Sequence, residues 1–123
     1  MTGIARLRVL HLGKYYAPHR GGMETYLQSL CGEMRDLVDS EVIVANDGSH
    51  TSVEMVERVK VSRMATLFKL ASAPVCPGMV RRIRESESDL VHIHLPNPTA
   101  VLAFLVSGHK GRLVVGYHSD IIR

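Results

Sequence analysis

The sequence has only two cysteines, Cys31 and Cys76, with no CxxC pair and no Cys/His spacing of a zinc module. It therefore offers neither a disulfide framework nor a cysteine-built metal site, and a reduced, cytoplasmic setting is expected. No apolar run approaches the ~20 residues of a membrane-spanning helix, and Met1 to Arg8 carries charge around short apolar pieces, unlike a signal sequence. A secreted or integral protein is not indicated. The 15 Lys and Arg are spread along the chain and the net charge is +3, so no basic block marks a nucleic-acid partner. Arg81, Arg82 and Arg84 flank Met79, Val80 and Ile83. On a helix this pattern suits peripheral contact with the inner face of a membrane, although an ordinary solvated face is the commoner meaning. Also missing are G-x-x-x-x-G-K-[ST] and G-x-G-x-x-G, which removes the lysine and hydroxyl of a P-loop and the tight glycine turn of the dinucleotide fold.

What is present fits one globular domain over residues 1–123, with 46% hydrophobic and 22% charged residues. Leu7 to Leu12 is a nearly continuous apolar run and predicts a strand covered on both faces. Apolar positions from Met23 through Leu27, Leu30, Cys31 and Met34 to Leu37 and Val38 recur at helical spacing. Glu41 to Ala45 and Val56 to Val61 read as strands, and the segment Met64 to Ala73 fits a short helix or an ordered loop. Pro77 opens a helix running to about Ser86, Leu90 to Leu95 is a strand broken by Pro96-Asn97-Pro98, Thr99 to Val106 is a helix stopping near Gly108, and Leu113 to Tyr117 is a fifth strand. Alternation of strands and helices predicts an α/β, Rossmann-like open parallel sheet of about five strands with helices on both faces.

In such sheets ligands bind beyond the carboxyl ends of the strands. Three segments meet that edge: the loop from Gly13 to Glu24, the Pro96-Asn97-Pro98 corner, and His118-Ser119-Asp120. Gly21 and Gly22 stand where a helix starts, so free amide N–H groups and the positive end of the helix dipole can meet an anion such as a diphosphate; a flexible turn is the plainer reading. Lys14, His19 and Arg20 add positive charge nearby. His118 follows the last strand and can hydrogen-bond a sugar or phosphate oxygen or transfer a proton, while Asp120 either orients it or caps a helix. His92 and His94 alternate on one strand and share a face. They make a metal pair only if a third ligand exists, and none is evident in the sequence; a satisfied buried histidine is the commoner case. No metal site is therefore expected. His94 is nearer the carboxyl end and is the better candidate for function.

Together, Tyr15-Tyr16-Ala17-Pro18-His19-Arg20-Gly21-Gly22-Met23-Glu24, Leu90-Val91-His92-Ile93-His94-Leu95-Pro96-Asn97-Pro98 and Val115-Gly116-Tyr117-His118-Ser119-Asp120 closely resemble the N-terminal domain of GT-B glycosyltransferases of family 4. The resemblance spans almost the whole chain. It implies one half of a GT-B fold and a retaining, metal-independent transfer of a sugar from a UDP- or GDP-linked donor to a sugar, lipid or polyol acceptor, with no cofactor. Under it, Gly21 and Gly22 approach the donor diphosphate and transferred sugar. His118 lies beside the reacting sugar, and Glu24, His94, Asn97 and Asp120 take acceptor-binding positions. The C-terminal domain that grips the nucleotide has no counterpart in these residues, so the 123-residue chain is expected to be inactive by itself. The alternatives are a non-catalytic nucleotide- or phosphate-binding module, with Asp47 as the ribose-binding acid, and an interaction domain that pairs with another chain.

Overall fold

The computed structural model describes residues 6–16, 22–46, 48–70, 73–95 and 97–117. In chain order these form β1 (Leu7–Leu12), α1 (Gly22–Glu33), β2 (Val38–Ala45), β3 (Ser52–Val56), β4 (Val59–Met64), β5 (Phe68–Leu70), β6 (Ala73–Val75), α2 (Gly78–Glu85), β7 (Leu90–Leu95), α3 (Pro98–Ser107) and β8 (Arg112–Tyr117). Six strands make one sheet in the order β3-β4-β2-β1-β7-β8, and β5 and β6 form a separate hairpin. All pairings in the main sheet are parallel except β3 with β4.

The central strands of the sheet are buried on both faces, as their continuous apolar runs require. On one face Leu10, Leu12, Ile43, Val91 and Ile93 pack against Met79 and Ile83 of α2 and Ala100, Ala103 and Phe104 of α3. On the other, Val42, Val44, Val59 and Val61 pack against Leu27 and Cys31 of α1. Helices on both faces of a mostly parallel sheet make the domain Rossmann-like, with six strands in place of about five.

Strands β1 and β7 keep their predicted bounds, whereas α1 is shorter than its apolar pattern suggests. It ends at Glu33, Leu37 is 70% exposed in the following turn, and Val38 pairs with Leu7 as the first residue of β2. The predicted strand Val56 to Val61 is instead the tip of a hairpin. Glu57 and Arg58 turn the chain with φ of 49° and 70°, values more common for Gly or Asn, so the turn carried no sequence signal. Phe68–Leu70 and Ala73–Val75 pair antiparallel as β5 and β6, where the segment Met64 to Ala73 predicts a short helix or an ordered loop. Pro77 precedes the first residue of α2 as its N-cap, and α3 ends at Gly108, as its sequence predicts. Arg81 pairs with Glu85 one turn away, and Arg84 donates to the Ser107 carbonyl, so part of the basic face of α2 is engaged within the domain.

Candidate functional site

The chain leaves β1 toward β2 and β4 on one side and later returns to β7 and β8 on the other, so strand order reverses at the β1–β7 junction. That junction is where an open parallel sheet forms a ligand crevice at its carboxyl edge. The chain leaves β1 at this edge through residues 13–16. Gly13 N–H donates to the Ile43 carbonyl and the Lys14 carbonyl accepts from Ala45 N–H, which extends the β1–β2 ladder. Tyr15 then joins the core beneath α2 and α3, and Tyr16 joins the core beneath α1. Two tyrosines thus pin the start of a loop whose composition alone suggests an open anion site.

Gly13 brings α1 close to β1. A Cβ at this position would lie 2.9 Å from Leu27 Cδ2, so glycine sets how near the helix approaches the sheet. The helix starts at Gly22, and Glu24 is a half-buried acid in its first turn, where it complements the helix dipole. Tyr26, on the next part of α1, meets the His94 ring edge-on with centroids 6.1 Å apart. The amino-terminal part of α1 therefore lies over the carboxyl-terminal half of β7.

At the corner after β7, Asn97 is the N-cap of α3, and its Oδ1 accepts from Ala100 N–H at 3.4 Å and Thr99 Oγ1 at 3.3 Å. Asn97 is buried, and its Nδ2 has no partner among the described residues. A buried amide donor left over at the ligand edge is costly unless something accepts from it.

Beneath α1, three imidazoles share one face of the sheet. Register pairs His11 of β1 with His92 of β7, and His94 follows two residues on. His11 Nδ1 lies 3.1 Å from His94 Nε2, and the His92 and His94 rings stack with centroids 4.1 Å apart. His11 and His94 are buried, His92 is half-buried, and His11 Nε2 has no partner among the described residues. Burial, and secondarily the His92 imidazole, lowers the His11 pKa from 6.5 to about 4, so His11 is neutral. The third imidazole was invisible to sequence reasoning. Only the β1–β7 pairing brings His11 to residues 81 and 83 positions further along the chain.

Other features are structural. Both cysteines are free and buried, and burial raises the Cys31 thiol to about 11. A cleft of ≈ 380 Å³ lined by Arg8, Glu41, Lys60, Arg82 and Glu87 opens at the amino ends of the strands. Its charges largely engage one another through Arg8–Glu87, Lys60–Glu41 and a Ser86 Oγ donation to Glu41, and it lies at the edge opposite the ligand crevice. Gly21, Asp47, His118 and Asp120 lie outside the described residues. The structure thus brings His94, Asn97, Glu24 and the backbone of Gly22 to one edge. It encloses His94 and leaves Glu24 partly open.

The family model for Glycosyltransferase Family 4 matches residues 20–122. The chain is 32% identical over 121 residues to the D-rhamnosyltransferase WbpZ of Pseudomonas aeruginosa, covering 95% of this chain and 32% of that protein. It is 30% identical over 121 residues to the O-antigen chain mannosyltransferase C of Escherichia coli, covering 95% of this chain and 33% of that protein. It spans about a third of the length of these relatives. No solved structure gives a significant match. Among the described residues, no helix is long and apolar enough to cross a membrane.

Proposed function

We propose that this chain, which belongs to glycosyltransferase family 4, forms the acceptor-side half of a cleft in which a sugar passes from a UDP- or GDP-linked donor to a sugar, lipid or polyol acceptor. The observation that carries this reading is the meeting of the α1 N-terminus and the Asn97 corner at the reversal of strand order. Gly21 and Gly22 offer backbone N–H groups and the positive helix end to the donor diphosphate, which then needs no metal ion. His118, the residue after β8 in the sequence, hydrogen-bonds a hydroxyl of the transferred sugar and helps hold the transition state. Asn97, whose buried Nδ2 lies unpartnered among the described residues at this edge, and Glu24 are assigned to the acceptor with Asp120, and His94 supports α1 from beneath through Tyr26.

The relatives' names direct attention to a hexose or 6-deoxyhexose as the transferred sugar. Transfer proceeds with retention at the anomeric carbon, and the nucleotide is gripped by a second domain. The protein works in the cytoplasm, at or near the inner face of the membrane. The test is label transfer from UDP- and GDP-hexoses by the protein that carries this domain together with a donor-binding half, with the product anomer read by NMR. His118→Ala is expected to lower turnover by about a hundred-fold or more with the fold intact. Near-normal turnover removes His118 from the reaction, and an inverted anomer contradicts the retaining mechanism.

One observation favours the interaction-domain reading as a second possibility. On the α3 side of the sheet, Leu113 and Val115 of β8 and Leu102, Leu105 and Val106 of α3 are exposed. Apolar surface of this kind suits cover by another domain or chain. A stable dimer in light scattering, with no response to sugars or nucleotide sugars, supports that reading.

A further inference from the structure

We propose that His11, His92 and His94 bind a single divalent transition-metal ion of the zinc class. Each residue offers one ring nitrogen, and the three nitrogens lie within 4.8 Å of one another. The His11 Nδ1 to His94 Nε2 distance of 3.1 Å is already near ligand spacing. Two imidazole nitrogens held about 2.0–2.1 Å from zinc at tetrahedral angles sit about 3.3 Å apart. His92 completes the set by a small ring movement. A Cβ at Gly116 of β8 would lie 2.8 Å from His92 Nε2, so glycine there leaves the space this ring occupies.

The two faces of the same strands make the contrast. On the face toward α2 and α3, the β1–β7 register pairs Leu10 with Val91 and Leu12 with Ile93, all four of them buried apolar side chains. On the other face, the register pairs His11 with His92, with His94 beside them. Apolar side chains fill such positions at no hydrogen-bonding cost, whereas here three imidazoles converge, His11 and His94 buried and His92 half-buried. A metal ion uses what an apolar core does not need, namely several neutral imidazoles converging from different strands. Imidazole ligands suit zinc, copper, nickel and cobalt, and three of them leave a position for water or a ligand oxygen. Half-buried His92 gives the ion a route inward. Bound there, it ties β1 to β7 at the reversal of strand order, beneath α1. This role is separate from diphosphate binding and does not depend on the proposed transfer reaction.

The test uses the tag-free chain, stripped with chelator and titrated with zinc against a chromophoric competitor, then with cobalt in the visible range. The expected result is one zinc per chain with micromolar or tighter affinity, and the intense visible bands of tetrahedral cobalt. His92→Gln and His94→Gln are each expected to weaken binding at least about ten-fold, while His50→Gln, at an exposed site, leaves it unchanged. His92→Cys keeps one-to-one binding and adds a thiolate-to-cobalt charge-transfer band, which reports direct ligation whatever the other variants do to the fold. Absence of stoichiometric binding overturns the proposal. So does a folded His92→Cys chain without the new band, or binding unaffected by His92→Gln.

Discussion

Nδ1 of His11 and Nε2 of His94 lie 3.1 Å apart across the junction of β1 and β7, under the helix that begins at Gly22. A buried polar contact therefore sits where strand order reverses, and the cost of protonating it falls on the whole fold.

Metal-free stability should depend on His11. Its pKa falls from 6.5 to about 4 on folding, so between those values the unfolded chain holds a proton that the folded chain does not. Its contribution is complete above pH 6.5 and is lost as pH falls toward 4, a drop of about 3 kcal/mol across the window. Urea unfolding in the presence of chelator should show it, and His11→Gln should flatten the slope. Equal slopes for the two proteins contradict it.

Gly13→Ala should loosen α1. The added Cβ meets Leu27 Cδ2 at 2.9 Å and Val44 Cγ1 at 3.4 Å, both side chains of the buried cluster beneath α1. Destabilisation of about 1–3 kcal/mol is expected from denaturant midpoints. Gly116→Ala should instead displace His92, which touches the same added atom at 2.8 Å, and weaken zinc binding by about ten-fold or more. Unchanged zinc affinity would separate Gly116 from the histidine cluster.

Asn97 can be dissected because its two side-chain atoms do different things. Asn97→Asp keeps an oxygen for the Ala100 N–H and removes the buried Nδ2 donor. Thermal stability should stay within about 1 kcal/mol, the scale of a helix cap, while acceptor use by the two-domain protein falls by about ten-fold or more, as for loss of a hydrogen bond to a buried partner. Equal acceptor KM in both proteins assigns Asn97 to capping alone.

Neither cysteine should react in the native state. The Cys31 thiol is held near 11 by burial, and burial also raises Cys76. At about pH 8 a thiol reagent should label both only after unfolding, because the thiolate is the reactive form. Fast labelling of the folded chain would show that one of them opens.

Much of the fold is legible because β1 and β7 are short apolar runs whose bounds are set by flanking Gly13 and Pro96. The helix pattern overran into Leu37 and Val38 because periodicity does not reveal that Val38 pairs with Leu7. The Glu57-Arg58 turn was hidden because these residues seldom adopt positive φ, and it holds only because β3 and β4 pair on either side. At the candidate site, Glu24 and Asn97 could be placed from helix starts, and His94 from strand alternation. The partnership of His11 with His94 could not, since it rests on which strands become neighbours.

The most direct measurement of the central claim is ligand binding by this chain, by saturation-transfer NMR for mannosides and other sugar acceptors and by calorimetry for UDP- and GDP-hexoses. An acceptor-side half should show saturation transfer to a sugar acceptor, weakened in Asn97→Asp, and no low-micromolar nucleotide-sugar binding. Low-micromolar binding of a nucleotide sugar with every acceptor silent would contradict it.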